Sequence, residues 1–447
     1  MDARIPLSQP DLLLGFLAIL VALIGATLYF SGVRRERDLR LVLTALAVKL
    51  TACVVYSVLI VRYFGGGDTL GYHNDGLEKA NAIRSDVFWR SRVYLSDNPF
   101  FLPEGSSTDH MRSLSGLVHF LTFDSYLASS VVFGIFGFAG QLLLYRTFTA
   151  RYPDPRLGTW WKVGILFFPT LTFWSAGMLK DAVGLFGLGL TLWGVHRALE
   201  VGRPRNYLLT LLGAYVLVLF RLQVLPVLLI SVVPWVLQAQ NVRSRLRRLR
   251  ARGRSATVRF ALVAAGIAGI WLAGKLESRY SLAEIPQAVA IQSGLYEQVG
   301  GATTQVIAVP TWTGLVASAP AALVLTLFRP FPWEASGALG LFAALENLVL
   351  LLLTFRMLGR FRGRPGLFRS VLRAPMFTTC LVFVILYGIA LGASTPNLGS
   401  ISRYRMPLIP FFVGMLAIVE AQRAEWTRRR IALAPLPQSA GVEHAAA

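Results

Sequence analysis

Lys180 and Asp181 stand side by side in FWSAGMLKDAVGLF (Phe173–Phe186), an otherwise apolar run. An ionised side chain at mid-membrane costs about 2.5–3.5 kcal/mol on insertion scales, so it faces a wet cavity or a partner. A lysine ammonium suits a phosphate or pyrophosphate, and Gly177 just before it lets the backbone come close. The plain alternative is a structural pair, with Asp181 holding Lys180 in place and the two tying down a hairpin. Arg221, in LVLFRLQVLP, follows an unbroken apolar run and carries the same demand. It needs a partner or water, and an anionic ligand is its functional reading.

Two further constellations have the residue types for chemistry. RYFGGGDTLGYHNDG (Arg62–Gly76) places Asp68, Tyr72, His73 and Asp75 directly after three glycines that free the backbone. A carboxylate held there has the chemistry of a general base, a metal ligand or an acceptor for a sugar hydroxyl. Against this stands a capped, solvated loop. Carboxylate, His and carboxylate in close order raise a divalent cation as a cofactor, but the spacing matches no strong metal signature. SISRYRMPLIPFF (Ser400–Phe412) sets Arg403 and Arg405 on either side of Tyr404, with Pro407 and Pro410 beyond. An interfacial belt of snorkelling arginines explains these residue types. It does not explain their meeting with Lys180 and Arg221 on one face.

The elements that must position these groups are membrane helices. The chain is 55% hydrophobic and 15% charged, against about 25% charged in soluble domains, with a mean hydropathy of +0.56. Its net charge of +21 would raise nucleic acid as a partner in a soluble protein. Here the arginines sit in short connectors between apolar runs, which points to topology and anionic headgroups, not to nucleic acid. Val242–Arg254 alone, VRSRLRRLRARGR, holds seven of them. Cys53 and Cys380 lie in apolar runs without ligand-like spacing and read as small apolar residues. Leu12–Phe30 reads as a retained first span, since no small-residue cleavage site follows it.

Basic connectors at 31–40, 146–156, 197–205, 242–254 and 356–373, and the tail after Arg423, are all expected in the cytoplasm. Spans of about 20 apolar residues between them predict an all-α bundle of about eleven crossings, N-terminus outside and C-terminus inside. Residues 1–431 form a single integral membrane domain and 432–447 a disordered tail in this reading. Two long outer loops are expected, Gly65–Asp124 and Gly274–Pro310. The runs at 156–197 and 205–242 fit hairpins with Lys180–Asp181 and Arg221 at their outer apices. Parity requires one segment of the C-terminal half to be re-entrant or interfacial, and Thr313–Phe328 is the candidate.

RYRMPLIPF (Arg403–Phe411) resembles a late-helix motif of multispanning bacterial glycosyltransferases of the GT-C superfamily. FWSAGMLKDAVGLF and FRPFPWE (Phe328–Glu334) are similar to segments of membrane proteins from cell-surface polysaccharide clusters, some of them polymerases. The resemblance implies an inner-membrane enzyme taking a lipid-linked sugar, on polyprenyl phosphate or pyrophosphate, from the outer leaflet. It implies Asp68 as the base on the acceptor hydroxyl, and Lys180, Arg221, Arg403 and Arg405 around the leaving phosphate. Trp174 and Tyr404 would stack on sugar or prenyl. Two alternatives stay open: an O-antigen-type polymerase that works with arginines, and a transporter or flippase of an anionic lipid-linked substrate.

Overall fold

The computed structural model describes residues 4–32, 36–85, 105–238, 284–298, 310–335 and 337–432. Val242–Arg254 and the C-terminal tail from residue 433 lie outside the described residues, as does the apolar run Val258–Ala273, where sequence predicts a further span. Among those described there is no β-strand, and the protein is an all-α bundle. Helices dominate because hydrocarbon offers no partner for backbone N–H and C=O groups, and a helix satisfies them within one segment.

In chain order the helices are α1 (Gln9–Gly32), α2 (Glu36–Val58, continued by the wider turns of Leu59–Phe64), α3 (Asp68–Ser85), α4 (Ser107–Leu121) and α5 (Tyr126–Arg151). There follow α6 (Pro169–Trp174), α7 (Lys180–Val201), α8 (Pro204–Arg221), α9 (Val224–Gln238) and α10 (Ile285–Gln298). The last are α11 (Trp312–Phe328), α12 (Gly337–Phe361), α13 (Pro365–Leu372), α14 (Pro375–Ser394), α15 (Leu398–Tyr404) and α16 (Ile409–Ala432). Among the described residues seven segments are long and apolar enough to cross a membrane: α1, α2 with its wide turn, α5, α7, α12, α14 and Met406–Arg428, which includes most of α16. Two shorter helices, α9 and α11, are also apolar. The protein is a multi-pass membrane protein.

Glycine sets the close approaches that position the polar groups. A Cβ on Gly189 of α7 would lie 2.4 Å from the Gly140 carbonyl oxygen of α5, and one on Gly213 of α8 2.4 Å from the Thr191 nitrogen of α7. Small residues are what allow membrane helices to pack backbone to backbone. The start of α7, with Lys180 and Asp181, is thereby held beside the end of α8, with Arg221.

Three expectations need revision. The stretch Gly65–Asp124 is not simply loop: it carries α3 and α4, packed against each other. Ser106 and Asp109 form a reciprocal cap at the start of α4, a spacing that marks a helix start in sequence. Gly274–Pro310 likewise contains α10. The first hairpin is lopsided, since its leading arm is broken into a short turn at Gly158–Trp161, wide turns at Lys162–Leu166 and the six-residue α6.

After α11 the chain reverses. Thr326 donates to the Gly388 carbonyl of α14, and Asn347 of α12 donates to the Pro330 carbonyl at 3.1 Å. Asn347 lies ten residues into α12, about 15 Å along its axis at 1.5 Å per residue. The chain therefore climbs back between Pro330 and Gly337 before α12 descends, and an Arg329–Glu334 ion pair ties the reversal.

Candidate functional site

Asp68 opens α3 directly after Gly65–Gly67, where Gly65 and Gly67 take φ of 62° and 107°. Those left-handed angles favour glycine and turn the chain back onto the bundle. The carboxylate at a helix start is also favoured by the helix dipole. Beside it Tyr56 of α2 and Thr69 share a hydrogen bond of 3.0 Å. A Cβ on Gly177 would sit 2.2 Å from the Tyr56 ring, so the turn before α7 closes against the same tyrosine.

One arginine joins the elements. Arg403 donates from Nη1 to Asp68 at 2.9 Å and from Nε to Asp181 at 2.7 Å. Arg221 donates to the other oxygen of Asp181. Asp181 is 2% exposed, so two guanidinium groups compensate a carboxylate removed from solvent. Such charge-assisted contacts offset the desolvation that an unpaired buried ion would suffer. Asp68, by contrast, keeps half of its side chain exposed. The guanidinium carbons of Arg221 and Arg403 lie 5.2 and 5.5 Å from the Tyr404 ring centre, so both cations are within cation–π reach of one ring.

Lys180 completes the cluster in a way its neighbour does not suggest. Its ammonium donates to Ser107 (3.0 Å) and Thr108 (2.8 Å) in the first turn of α4 and stands 6.0 Å from the Tyr72 ring centre. Asp181 thus anchors the two arginines and does not hold Lys180. Asp68, Lys180, Asp181, Arg221, Arg403 and Tyr404 come together as one basin in which three cations face two carboxylates.

Three expected members are elsewhere. Asp75 pairs with Arg112 of α4 at 2.8 Å on the outer side of the α3/α4 layer. Arg405 is fully buried and turned to Glu346 of α12 at 3.3 Å, and Glu346 also accepts from the Thr170 backbone at 3.0 Å. His73 is buried against His119, with Nδ1 to Nε2 at 2.7 Å. Its other nitrogen meets the Arg4 carbonyl at 2.9 Å, and His119 Nδ1 meets the Ser115 carbonyl at 2.8 Å. Carbonyls only accept, so both outward nitrogens donate, and a proton placed between the rings charges the buried pair. Burial, then repulsion from His73, holds His119 down to about 4, and burial lowers His73 as well.

The pair latches the N-terminal segment onto the α3/α4 layer. Asp124 reinforces it by accepting from Arg4 and Arg84, and Asp11 by accepting from the backbone of Leu7 and Leu127. Burial, joined by the nearby Asp68 carboxylate, pushes the Tyr72 phenol up to about 12, so it stays a neutral donor beside the basin.

Sequence reasoning missed Lys49. It is buried in the middle of α2 and donates to Gln141 (3.1 Å), the Thr172 carbonyl (3.0 Å) and Ser175. These bonds fix the irregular turn that leads into Lys180. A lysine inside an apolar helix was the available signal. Ser107 and Thr108 carried none, because nothing in sequence ties them to a residue more than seventy positions away.

Among the described residues, no three His, Cys, Asp or Glu side chains come together as a metal site. Comparison with protein-family models, with curated proteins and with solved structures finds no match to this chain.

Proposed function

We propose that this protein is a membrane glycosyltransferase of the GT-C type. It moves a sugar from a polyprenyl-phosphate-linked donor to an acceptor hydroxyl at the outer leaflet of the inner membrane, with the basic connectors and C-terminus in the cytoplasm. The observation that carries the reading is the joining of half-exposed Asp68 to Lys180, Arg221 and Arg403 in one basin, assembled from helices distant in sequence.

The acceptor hydroxyl gives its proton to Asp68 as its oxygen bonds the anomeric carbon. The bond from that carbon to the phosphate oxygen breaks, and its electron pair leaves with the prenyl phosphate. Lys180, Arg221 and Arg403 stabilise the charge that develops on the leaving phosphate, and they are already oriented before the reaction begins. Arg403 must release Asp68 for the base to work, and an arriving phosphate supplies the competing anion.

General-base catalysis contributes about 10²–10⁴-fold. Asp68→Asn is therefore expected to lower sugar transfer in proteoliposomes supplied with polyprenyl-phosphate sugars by at least about a hundredfold. Full activity of Asp68→Asn removes the carboxylate from the chemistry. One observation favours that second reading, an O-antigen-type polymerase: Asp68 already serves as a partner of Arg403. In that case Arg403→Gln abolishes chain joining while Asp68→Asn preserves it.

A further inference from the structure

The opposite end of the bundle carries a surface that the basin does not use. Residues 356–373 hold six arginines and no acidic residue. The carboxylate packed there, Glu420 of α16, is shared by Arg360, Arg423 and, at 3.8 Å, Arg356. Arg369 and Arg373 are exposed, and among the described residues neither has a carboxylate partner.

The helix between them, α13, is divided lengthwise. Leu367 and Val371, one turn apart, are fully buried, and Ser370 donates to Gln422 of α16 at 2.9 Å. One residue further round, at 100° per residue, Phe368 and Leu372 are 47% and 39% exposed. One residue further again come Arg369 and Arg373. The free half of the helix is thus an apolar stripe beside a basic stripe. The apolar stripe continues an existing surface: Phe355 and Leu358 are exposed in the last turns of α12, and Phe361 meets the Phe368 ring edge-on at 5.4 Å.

We propose that α13 is an interfacial helix that binds anionic phospholipid. Phe368 and Leu372 enter the acyl boundary, and Arg364, Arg369 and Arg373 take the headgroup phosphates. The segment is too short to span and has no carboxylate to neutralise its arginines, whereas an anionic leaflet both covers the apolar stripe and matches the charge. This inference does not depend on the glycosyltransferase reading.

Both native cysteines in the described bundle are buried, so Phe368→Cys in the full-length protein accepts a nitroxide selectively. In nanodiscs of phosphatidylglycerol and phosphatidylcholine, that nitroxide should be relaxed more by oxygen than by an aqueous nickel chelate. Accessibility to the chelate like that of a label in bulk water overturns the proposal and leaves the face for an acidic soluble partner. The second measurement is phosphatidylglycerol retained by detergent-purified protein, read by native mass spectrometry. The triple variant Arg364→Gln, Arg369→Gln, Arg373→Gln should weaken that retention at least about tenfold, with high salt acting in the same direction. Retention unchanged by the triple variant overturns the headgroup assignment. Arg369 and Arg373 are exposed and Arg364 is half-buried with no carboxylate partner among the described residues, so the variant is expected to fold, and an unchanged melting temperature verifies it.

Discussion

Arginine serves opposite purposes at the two ends of this bundle. In the Asp68 basin Arg221 and Arg403 are only 15% exposed and share one buried carboxylate, so each guanidinium is oriented by a neighbour that cannot move without cost. In the 356–373 connector most arginines are exposed, and one glutamate serves two of them together with Arg423 of α16. Residue type is the same in both places. Burial and pairing make one a fixed electrostatic site and the other an adaptable charged surface.

The comparison breaks most sharply at Asp181. Asp181→Ala strands Arg221 and Arg403 side by side without their shared anion, and removing one partner of a buried ion pair costs about 3–5 kcal/mol. Its thermal unfolding temperature in detergent is expected to fall well below that of Arg369→Gln at the other end. An exposed substitution of that kind stays within about 0.5 kcal/mol. Equal shifts would show that the two ends do not differ in the way described.

Acid should act next, and on the basin end. Folded His119 titrates at about 4, while an exposed imidazole titrates near 6.5. The opened state therefore binds a proton that the closed state refuses. The stabilisation is full above about 6.5 and is lost as pH falls toward about 4, amounting to roughly 3 kcal/mol at 1.36 kcal/mol per unit. Hydrogen exchange at α3 and α4 should accelerate over that window, whereas exchange at α13, which has no histidine, should not. His119→Gln should flatten the response.

Lys49→Met tests whether the turn before α7 needs its clamp. The substitution leaves the Thr172 carbonyl, Ser175 and Gln141 short of a donor, at about 1–3 kcal/mol for buried unsatisfied groups. Faster exchange at 172–180 is expected, with α13 unaffected. Within the basin the smallest effect on stability belongs to Asp68→Asn. Its pair with Arg403 is half-exposed and worth at most about 1 kcal/mol, so its melting temperature should barely move even as transfer fails.

Helix geometry explains which site residues were legible. Arg403 and Arg405 are neighbours in SRYR, but two positions around a helix differ by about 200°, so both cannot face one basin. Residue type alone offered no reason to separate them; in α15 and its continuation one faces Asp181 and the other Glu346. The same holds for α3. Asp75 lies seven residues beyond Asp68, about 10 Å along the axis, and finds Arg112 instead. His73 faces the other side of its helix from Asp68 and meets His119. The convergence of Lys180, Arg221 and Arg403 was foreseeable because hairpin parity sends all three to the same end. The partner of Asp181 was not, because adjacency favoured Lys180.

The sequence by itself determined that this chain is a helical membrane bundle and where its charges accumulate. Apolar runs of spanning length permit no other way to satisfy the backbone, and the arginine connectors mark the turns between them. Only the tertiary structure decided which charges meet. Arg403 is 222 residues from Asp181 and 335 from Asp68. Contacts at that separation depend on glycine-lined helix packing and on which way each helix is rotated. Those are properties of facing surfaces, and no single stretch of the chain contains both sides.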